Sequence, residues 1–374
     1  MRSKRVPAGR SPSFSPILNP RRCKISVNFL NKKLTSYRQQ SGNWHNLLIH
    51  SMKYFCLLLL FFSSEVSRGQ TGIEFSSSDS PILFGPGIIS DGYSNRDMAL
   101  SPDGNDMFYT LQWSNGLFSV ILHSKKINEK WTSPESAWFS GRYNDLEPAF
   151  SPDGNKLFFT SNRPLKESDS SSKDYDIWYL QRDKNNWQGP FNMGNVINTS
   201  ADEFYPSVAR NGNLYFTRDN GENKDDIFIS MYRNNQYEQP MALSSSVNSG
   251  GYDFNGFIDP DERFIIFSSY KRNDDLGGGD LYFSLNHDGK WQPAIHLNEI
   301  INSSSLDYSP FVSSDQHYFF FTSKRRVLKL PFVKSKNIEE IKTVLNSFGN
   351  GNDDIYIMNF KVVYDWMQSV KNVK

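Results

Sequence analysis

The sequence predicts an all-β protein, a β-propeller of five four-stranded blades, because a repeated turn, a repeated order of strands and a closing segment indicate the same fold. The turn is Ser-Pro-Asp-Gly, which is complete at 101–104 and at 151–154. Weaker copies follow, and the equivalent turn residues of all five copies are Asp103, Asp153, Asn211, Asp261 and Asp315. They are 50, 58, 50 and 54 residues apart, a period that indicates a repeat architecture.

Every unit carries the same strand signals in the same order. In the second unit a short run enters the turn, Leu157–Ser161 is β-branched and aromatic, and Asp176–Leu180 follows a polar loop. A fourth strand opens at an aromatic residue, which is found in the first four units as Trp131, Trp187, Tyr237 and Trp291. Four antiparallel strands in each repeating unit make a propeller blade.

The two ends of the repeat region predict how the ring closes. The last unit has a third strand near Asp354–Phe360 but no aromatic fourth strand, and Pro81–Pro86, before the first unit, resembles the missing strand. We therefore expect the N-terminal strand to complete the last blade, because this closure leaves no sheet edge unpaired. Six blades are the alternative, if residues 71–94 and 361–374 form another blade.

The first 70 residues differ in composition from the rest. They hold 12 basic residues and one acid, whereas residues 71–374 hold 29 basic and 39 acidic residues. The apolar run Tyr54–Phe62 is typical of a signal-peptide core and is too short to span a bilayer. We predict an upstream extension or disordered arm at 1–51, a signal peptide at 52–70 and a propeller at 71–374. The mature chain would be periplasmic or extracellular, with no transmembrane segment and without Cys23 and Cys56.

The motifs resemble those of a known family. The Ser-Pro-Asp-Gly turns, the Phe-Thr-Ser-x-Arg strand ends and the Asp-Ile-Tyr strand starts are similar to the WD40-like repeats of TolB-type periplasmic propellers. The stretch Ser268–Tyr282 resembles the repeats of secreted bacterial propellers, some of which are fused to OmpA-like domains. The resemblance implies a protein-binding scaffold of the cell envelope. It is specific for the fold, since such scaffolds carry their function in individual sites.

Two sets of charged residues recur at fixed places in four units. The arginines Arg163, Arg218, Arg272 and Arg325 follow the second strands, and the acids Asp176, Asp226, Asp280 and Asp354 begin the third strands. The first unit has Gln112 and Gly116 at these places and so lacks both partners together. We therefore predict one structural Arg–Asp ion pair in each of four blades. Binding of an anion by the arginines is the alternative.

Acidic residues also concentrate where one blade leads into the next. The candidates for ligand binding are Asp97, Asp145, Glu147, Asp202, Glu203, Asp253 and Asp307. In a propeller these segments share a face with the loops between second and third strands, so we expect a ring of carboxylates around a concave mouth. Calcium could bind at Asp274, Asp275 and Asp280 on a glycine-rich loop. Otherwise these acids accept hydrogen bonds from their own turns.

One loop departs from the repeat, between the second and third strands of the last unit, at residues 327–352. Asn337 can cap a helix with Glu340 as its capping-box partner, and Ile338, Ile341 and Leu345 then share a face. Such a helix could cover the mouth or dock a partner. It could equally shield exposed blade edges.

The favoured function is a non-catalytic scaffold that binds a protein, peptide or cell-envelope glycan on the acidic, loop-rich face. The alternative is a carbohydrate-active enzyme that uses paired carboxylates such as Asp97 and Asp253. Other catalytic motifs are absent from the sequence, and it implies no cofactor apart from calcium. Nucleic-acid binding is disfavoured because the mature chain is acidic.

Overall fold

The computed structural model describes residues 72–371, apart from 74, 77, 167, 169–172, 185, 220, 222 and 223. The proposed N-terminal extension and signal peptide lie outside these residues, as do Cys23 and Cys56. The described chain forms five antiparallel sheets that make up a five-bladed propeller, which confirms the predicted fold class.

Each blade begins with the strand that precedes the repeated turn. Blade 1 contains β2 (Ser94–Leu100), β3 (Asp106–Trp113), β4 (Phe118–Ile127), β5 (Lys130–Trp131) and β6 (Glu135–Ser136). Blade 2 contains β7 (Asp145–Phe150), β8 (Lys156–Ser161), β9 (Asp176–Asp183) and β10 (Asn186–Asn192). Blade 3 contains β11 (Glu203–Val208), β12 (Leu214–Asp219), β13 (Asp225–Ser230) and β16 (Met241–Ala242), with a small ribbon of β14 (Tyr232–Arg233) and β15 (Gln236–Tyr237).

Blade 4 contains β17 (Tyr252–Ile258), β18 (Phe264–Tyr270), β19 (Asp280–His287), β20 (Lys290–Trp291) and β21 (Ile295–His296). Blade 5 contains β22 (Asp307–Val312), β23 (Tyr318–Ser323), β24 (Asp354–Asn359) and, from the N-terminal side, β1 (Ile82–Leu83).

The N-terminal strand closes the ring as predicted. Strand β1 pairs antiparallel with β24, so that Ile82 lies opposite Ile357 and Leu83 opposite Tyr356. The Phe84 side chain is buried in one apolar cluster with residues of blade 5 and blade 1, including Phe320 and Tyr109. The first and last blades are therefore joined by apolar packing as well as by strand pairing.

Two helices accompany the blades. Helix α1 (Ile338–Leu345) lies in the inserted loop of blade 5, and its N-cap Asn337 forms a complete capping box with Glu340. Helix α2 (Phe360–Lys371) follows β24 and packs Val363 and Met367 into the cluster formed by blades 4 and 5. The six-blade alternative is thus wrong, because residues 361–371 form a helix rather than strands. None of the described helices has the length and apolar character needed to cross a bilayer.

All five first strands contain a β-bulge at the same position. The bulge residues are Asp97, Glu147, Tyr205, Asn255 and Ser309, and all have φ between 49° and 59°. A bulge re-aims side chains and is found next to functional sites. Here it brings together residues of different blades, because Tyr205 bonds Glu147, Asn255 bonds Ser309 and Ser309 bonds Asp97.

Candidate functional site

Four arginines join the start of a blade to the segment before it. In blade 2, Arg163 Nη2 donates to Asp145 Oδ1 at 2.7 Å and to the carbonyl oxygen of Phe139 at 3.0 Å. Its Nε donates to Ser161 Oγ at 2.9 Å. The equivalent pairs are Arg218 with Glu203, Arg272 with Asp253 and Arg325 with Asp307. We call each Arg–acid pair a clamp. The acid of each of the four clamps is fully buried.

The clamps correct the predicted pairing of Arg163, Arg272 and Arg325 with Asp176, Asp280 and Asp354, and in blade 3 the clamp pairs Arg218 with Glu203. Asp176 accepts bonds from Lys173 and Asn192 instead, and Asp354 from the backbone nitrogen of Gly349. Ser161 stands opposite both Asp145 and Asp176 in register, so the order of strands did not decide between the two acids. The arginine turns toward the first strand, and a backbone carbonyl of the segment that precedes this strand accepts a further bond from it.

Blade 3 builds its clamp with a different spacing. Arg218 occupies the register position held by Ser161 in blade 2, and it lies opposite Glu203. The longer glutamate also accepts bonds from the backbone and hydroxyl of Thr199, at 3.1 Å and 2.7 Å. The clamp acid therefore fixes both the arginine and the inter-blade segment.

Blade 1 has no clamp. The position of the clamp acid is Asn95, whose Nδ2 donates to Asp91 Oδ1 at 2.7 Å, and Gln112 stands near the place of the arginine. Blade 1 therefore lacks both the arginine and the first-strand acid of a clamp. The sequence had indicated that the arginine is missing, but it had paired this arginine with a third-strand acid.

The axis of the propeller is occupied by a charged network. Arg96 Nε lies 2.9 Å and 2.8 Å from the two carboxylate oxygens of Asp97, and its Nη2 donates to Glu147 Oε1 at 3.1 Å. Ser309 Oγ donates to Asp97 Oδ1 at 2.6 Å, and Asn255 Nδ2 donates to Ser309 Oγ at 2.8 Å. These contacts join blades 1, 2, 4 and 5 across the axis.

Blade 3 enters the same network through Tyr205. Its backbone nitrogen donates to Glu147 Oε2 at 2.7 Å, and its hydroxyl donates to the carbonyl oxygen of Pro310 at 2.8 Å. Burial, and then the charge of Asp97, raise the pKa of Glu147 to about 7, although Arg96 opposes the shift. The two carboxylates nearest the axis are thus already bound by a cation and by neighbouring donors.

The predicted ring of exposed acids is not present. Six of the seven candidates are buried, and they are Asp97, Asp145, Glu147, Glu203, Asp253 and Asp307. Only Asp202 is partly exposed, and its Oδ1 accepts a bond from the backbone nitrogen of Tyr175 at 2.8 Å. The acids are buried because the segments between blades pack against the clamps instead of lining an open mouth.

The proposed calcium ligands bind protein groups. Asp274 Oδ1 accepts from the Tyr282 hydroxyl at 2.9 Å, and Asp275 accepts from backbone nitrogens of its own loop. Asp280 Oδ2 accepts from the Leu276 nitrogen at 2.6 Å and lies 2.8 Å from His296 Nε2. Within the described residues there is no group of three acidic, histidine or cysteine side chains that could hold a metal ion.

A groove of about 490 Å³ lies on the loop-rich face, where clamp-free blade 1 meets the insertion of blade 5. Its lining consists of Gly92, Tyr93, Ser94, Gln112, Trp113, Ser114, Asn115, Asn346 and Asn352. Trp113 and Tyr93 are 55% and 58% exposed, although both are large aromatic side chains. The rest of the lining is uncharged and rich in amides, so the groove offers stacking surfaces together with hydrogen-bonding groups.

The insertion is held against blade 1 at Gly92. The side-chain nitrogens of Asn350 and Asn352 donate to the carbonyl oxygen of Gly92 at 3.0 Å and 2.9 Å. Gly92 has φ +100°, and a Cβ there would lie 2.2 Å from the backbone oxygen of Asn346. Glycine is therefore required at this position, because any side chain would separate the two walls of the groove.

The sequence did not single out Arg96 of the axial network, nor Tyr93 and Trp113 of the groove. Arg96 precedes Asp97 in a first strand where the other units have apolar or aromatic residues, and this difference was a usable signal. The groove gave no such signal, because its walls come from three segments that are far apart in sequence.

Comparison with known proteins finds similarity among solved structures alone. The chain matches no family model and no curated protein. Among solved structures it is similar to TolB from Acinetobacter baumannii (14% identity, TM-score 0.41), covering 71% of this chain and 54% of that one. It is also similar to an α-L-arabinofuranosidase from Lactobacillus brevis (11% identity, TM-score 0.42), with 72% of this chain and 93% of that chain covered. It is similar as well to a gluconolactonase from Xanthomonas campestris (11% identity, TM-score 0.40), with 75% of this chain and 89% of that chain covered. At such identities the likeness concerns the fold alone, and the chain spans about half the length of the Acinetobacter protein.

Proposed function

We propose that this propeller is a non-catalytic binding scaffold of the cell envelope, exported from the cytoplasm, which holds its ligand in the groove between blade 1 and the insertion. The observation that carries the proposal is the exposure of Trp113 and Tyr93 beside the uncharged amides of that groove. The groove also lies where the two departures from the repeat meet. In a repeat protein, positions that depart from the repeat are candidates for function, since the repeated ones maintain the blades.

The chemistry of the groove favours an uncharged saccharide of a cell-envelope glycan. A sugar ring presents C–H groups to an aromatic face and hydroxyls to amide groups, and the lining supplies both. An extended peptide segment could use the same amides and aromatics, so it is the competing ligand. The acidic ring that would have favoured a cationic ligand is buried.

The carboxylates of the propeller axis support binding rather than glycoside hydrolysis. A glycosidase needs two carboxyl groups that flank an open sugar site, one of them free to donate a proton. Asp97 and Glu147 share Arg96 instead, and Asp253 is enclosed in the clamp of blade 4. The pair Asp97 and Asp253, suggested by the sequence, is therefore unsuited to this chemistry.

The test is a glycan array and a peptide library probed with residues 67–374, which form a compact unit. We expect saccharide binding that weakens at least tenfold in Trp113→Ala, because removal of a central aromatic side chain typically costs about 2 kcal/mol or more. The matched control is Trp138→Ala, since Trp138 is also 55% exposed but packs near Trp187, away from the groove. Equal losses in both variants, or binding only to peptides, would contradict the proposed ligand.

A further inference from the structure

The start of the insertion is a cationic segment in an acidic domain. Residues 326–336, which we call the cationic loop, read Arg-Val-Leu-Lys-Leu-Pro-Phe-Val-Lys-Ser-Lys and contain four basic residues and no acid. Residues 71–374 as a whole carry 29 basic and 39 acidic residues. Lys324 and Arg325, just before the loop, pair with Asp353 and Asp307. Among the described residues, no ion pair involves Lys329, Lys334 or Lys336.

The same loop exposes apolar side chains between its basic ones. Val327 is 59% exposed, Leu330 58% and Val333 99%. A side chain with almost its whole surface in water stands on a protruding tip, since none of the residues that the structure describes packs against it. Exposed apolar groups that are clustered in one segment indicate a contact surface.

The base of the loop is fixed to blade 5. The backbone nitrogens of Val327 and Leu328 donate to the carbonyl oxygen of Gly349 at 3.0 Å and 3.1 Å. Gly349 in turn donates from its nitrogen to the buried carboxylate of Asp354 at 2.7 Å. The tip is therefore presented at a defined place on the loop-rich face, although it has little packing of its own.

We propose that the cationic loop binds the surface of a bilayer that contains anionic phospholipid. Charge complementarity favours this occupant, because the lysines lie in a segment without acids while the rest of the domain is acidic. The shape favours it as well. A convex tip can place Leu330 and Val333 among acyl chains while the lysine ammonium groups reach lipid phosphates. A partner protein would have to supply a matching apolar pocket and an acidic rim.

The acidic residues that follow the loop do not neutralise it. Glu340 belongs to the capping box of α1, where its Oε2 accepts from the Asn337 nitrogen at 3.0 Å. Glu339 pairs with Lys342 at 3.0 Å. Both carboxylates are thus engaged on the helix, and the positive charge of the loop remains available to an anionic surface.

The experiment is co-sedimentation of residues 67–374 with two kinds of vesicle, phosphatidylcholine alone and phosphatidylcholine with phosphatidylglycerol. This part of the chain is used because it forms a compact unit and lacks the apolar run at 54–62. We expect binding to the anionic vesicles that weakens as salt is added. Reversing three charges, in K329E/K334E/K336E, should reduce binding on the order of a hundredfold, since each lysine near an anionic surface contributes about fivefold.

Two further variants distinguish the contribution of the loop's charges from that of net charge and from that of its apolar side chains. The control K125E/K184E/K290E changes the net charge equally at exposed lysines of blades 1, 2 and 4, and it should bind like the wild type. The variant Leu330→Ser with Val333→Ser should weaken binding by about tenfold or more, because two apolar side chains no longer enter the bilayer. Absence of binding to anionic vesicles, equal losses in the loop and control variants, or an unaffected serine variant would overturn the proposal. Binding to an acidic protein instead of the vesicles would overturn it too.

Discussion

At the scale of single residues, four arginines determine how neighbouring blades are joined. Each clamp takes a fully buried carboxylate from a first strand and satisfies it with a guanidinium group, which also donates to a backbone carbonyl of the preceding segment. A buried charge that loses its partner is costly because water cannot replace the partner. We therefore propose that the clamps are structural, which is the role predicted for these arginines, although their partners are first-strand acids.

The clamp of blade 4 provides the sharpest test. Removing one partner, in Arg272→Gln or Asp253→Asn, should lower the free energy of unfolding by about 3 kcal/mol, because each change leaves a buried polar group unpaired. The double variant should lose much less than the sum of the two single losses. Urea denaturation of the four proteins measures this coupling.

The control uses the acid that the sequence first suggested. Asp280→Asn should show little coupling to Arg272→Gln, since Asp280 accepts its bonds from Leu276 and lies beside His296. Strong coupling of Arg272 to Asp280, with weak coupling to Asp253, would restore the original pairing and refute the clamp.

Glu147 makes the stability depend on pH. Burial, followed by the charge of Asp97, raises its pKa from an ordinary 4.5 to about 7, so the folded protein holds this proton more tightly than the unfolded chain. The contribution of this group is complete below about pH 4.5 and is lost as the pH rises to about 7. Relative to Glu147→Gln, the wild type should lose up to about 3 kcal/mol between pH 4.5 and pH 8. Urea midpoints at both pH values measure it, and a constant difference would contradict the shift.

The sequence predicted the residue types of the site better than their partners. The joint absence of two residue types in blade 1 indicated a contact, but the arginines pair with first-strand acids and not with the third-strand acids that were predicted. The exposed carboxylates were predicted because the sequence does not show that inter-blade segments pack inward. Burial of an acid depends on an arginine that is about 15–20 residues away, and only the folded chain brings the two together.

At the scale of elements, the closing strand is the segment on which the ring depends. Strand β1 is only two residues long, and Phe84 follows it with a side chain that is 1% exposed. The Phe84 nitrogen donates to the carbonyl oxygen of Ile355 at 2.8 Å, so the backbone and the side chain both attach to blade 5.

Phe84→Ala should therefore lower the free energy of unfolding by about 3–5 kcal/mol, because a large buried side chain is removed from a packed cluster. Amide hydrogen exchange along Asp354–Asn359 should accelerate, since β1 covers the edge of that strand. The matched control is Phe348→Ala, in which the lost side chain is 41% exposed. If both variants lose the same stability, β1 does not close the ring.

Helix α1 was predicted from the sequence, whereas helix α2 was not. The capping box at Asn337 and Glu340 identified α1 because both halves of the signal are local. Helix α2 was missed, although Val363 and Met367 are four residues apart and both are buried. Its residues follow a strand at the end of the repeat, where a further blade was the competing interpretation.

At the scale of the whole molecule, the number of blades was predictable because each repeated turn marks one blade. The place of the candidate site was not, because the groove exists only where the insertion of the last blade meets the first blade. The repeat thus builds the scaffold, and the departures from it supply the surfaces that we propose to be functional: the uncharged groove and the cationic loop.

We propose above that the groove binds a saccharide and leaves it intact. The most direct measurement incubates each oligosaccharide that binds on the array with residues 67–374 and follows bound ligand and released products by mass spectrometry. We expect a bound oligosaccharide that remains uncleaved, with binding lost in Trp113→Ala and retained in Asp97→Asn and Glu147→Gln. Cleavage products that disappear in the Asp97 or Glu147 variant would contradict non-catalytic binding and identify the axial carboxylates as catalytic.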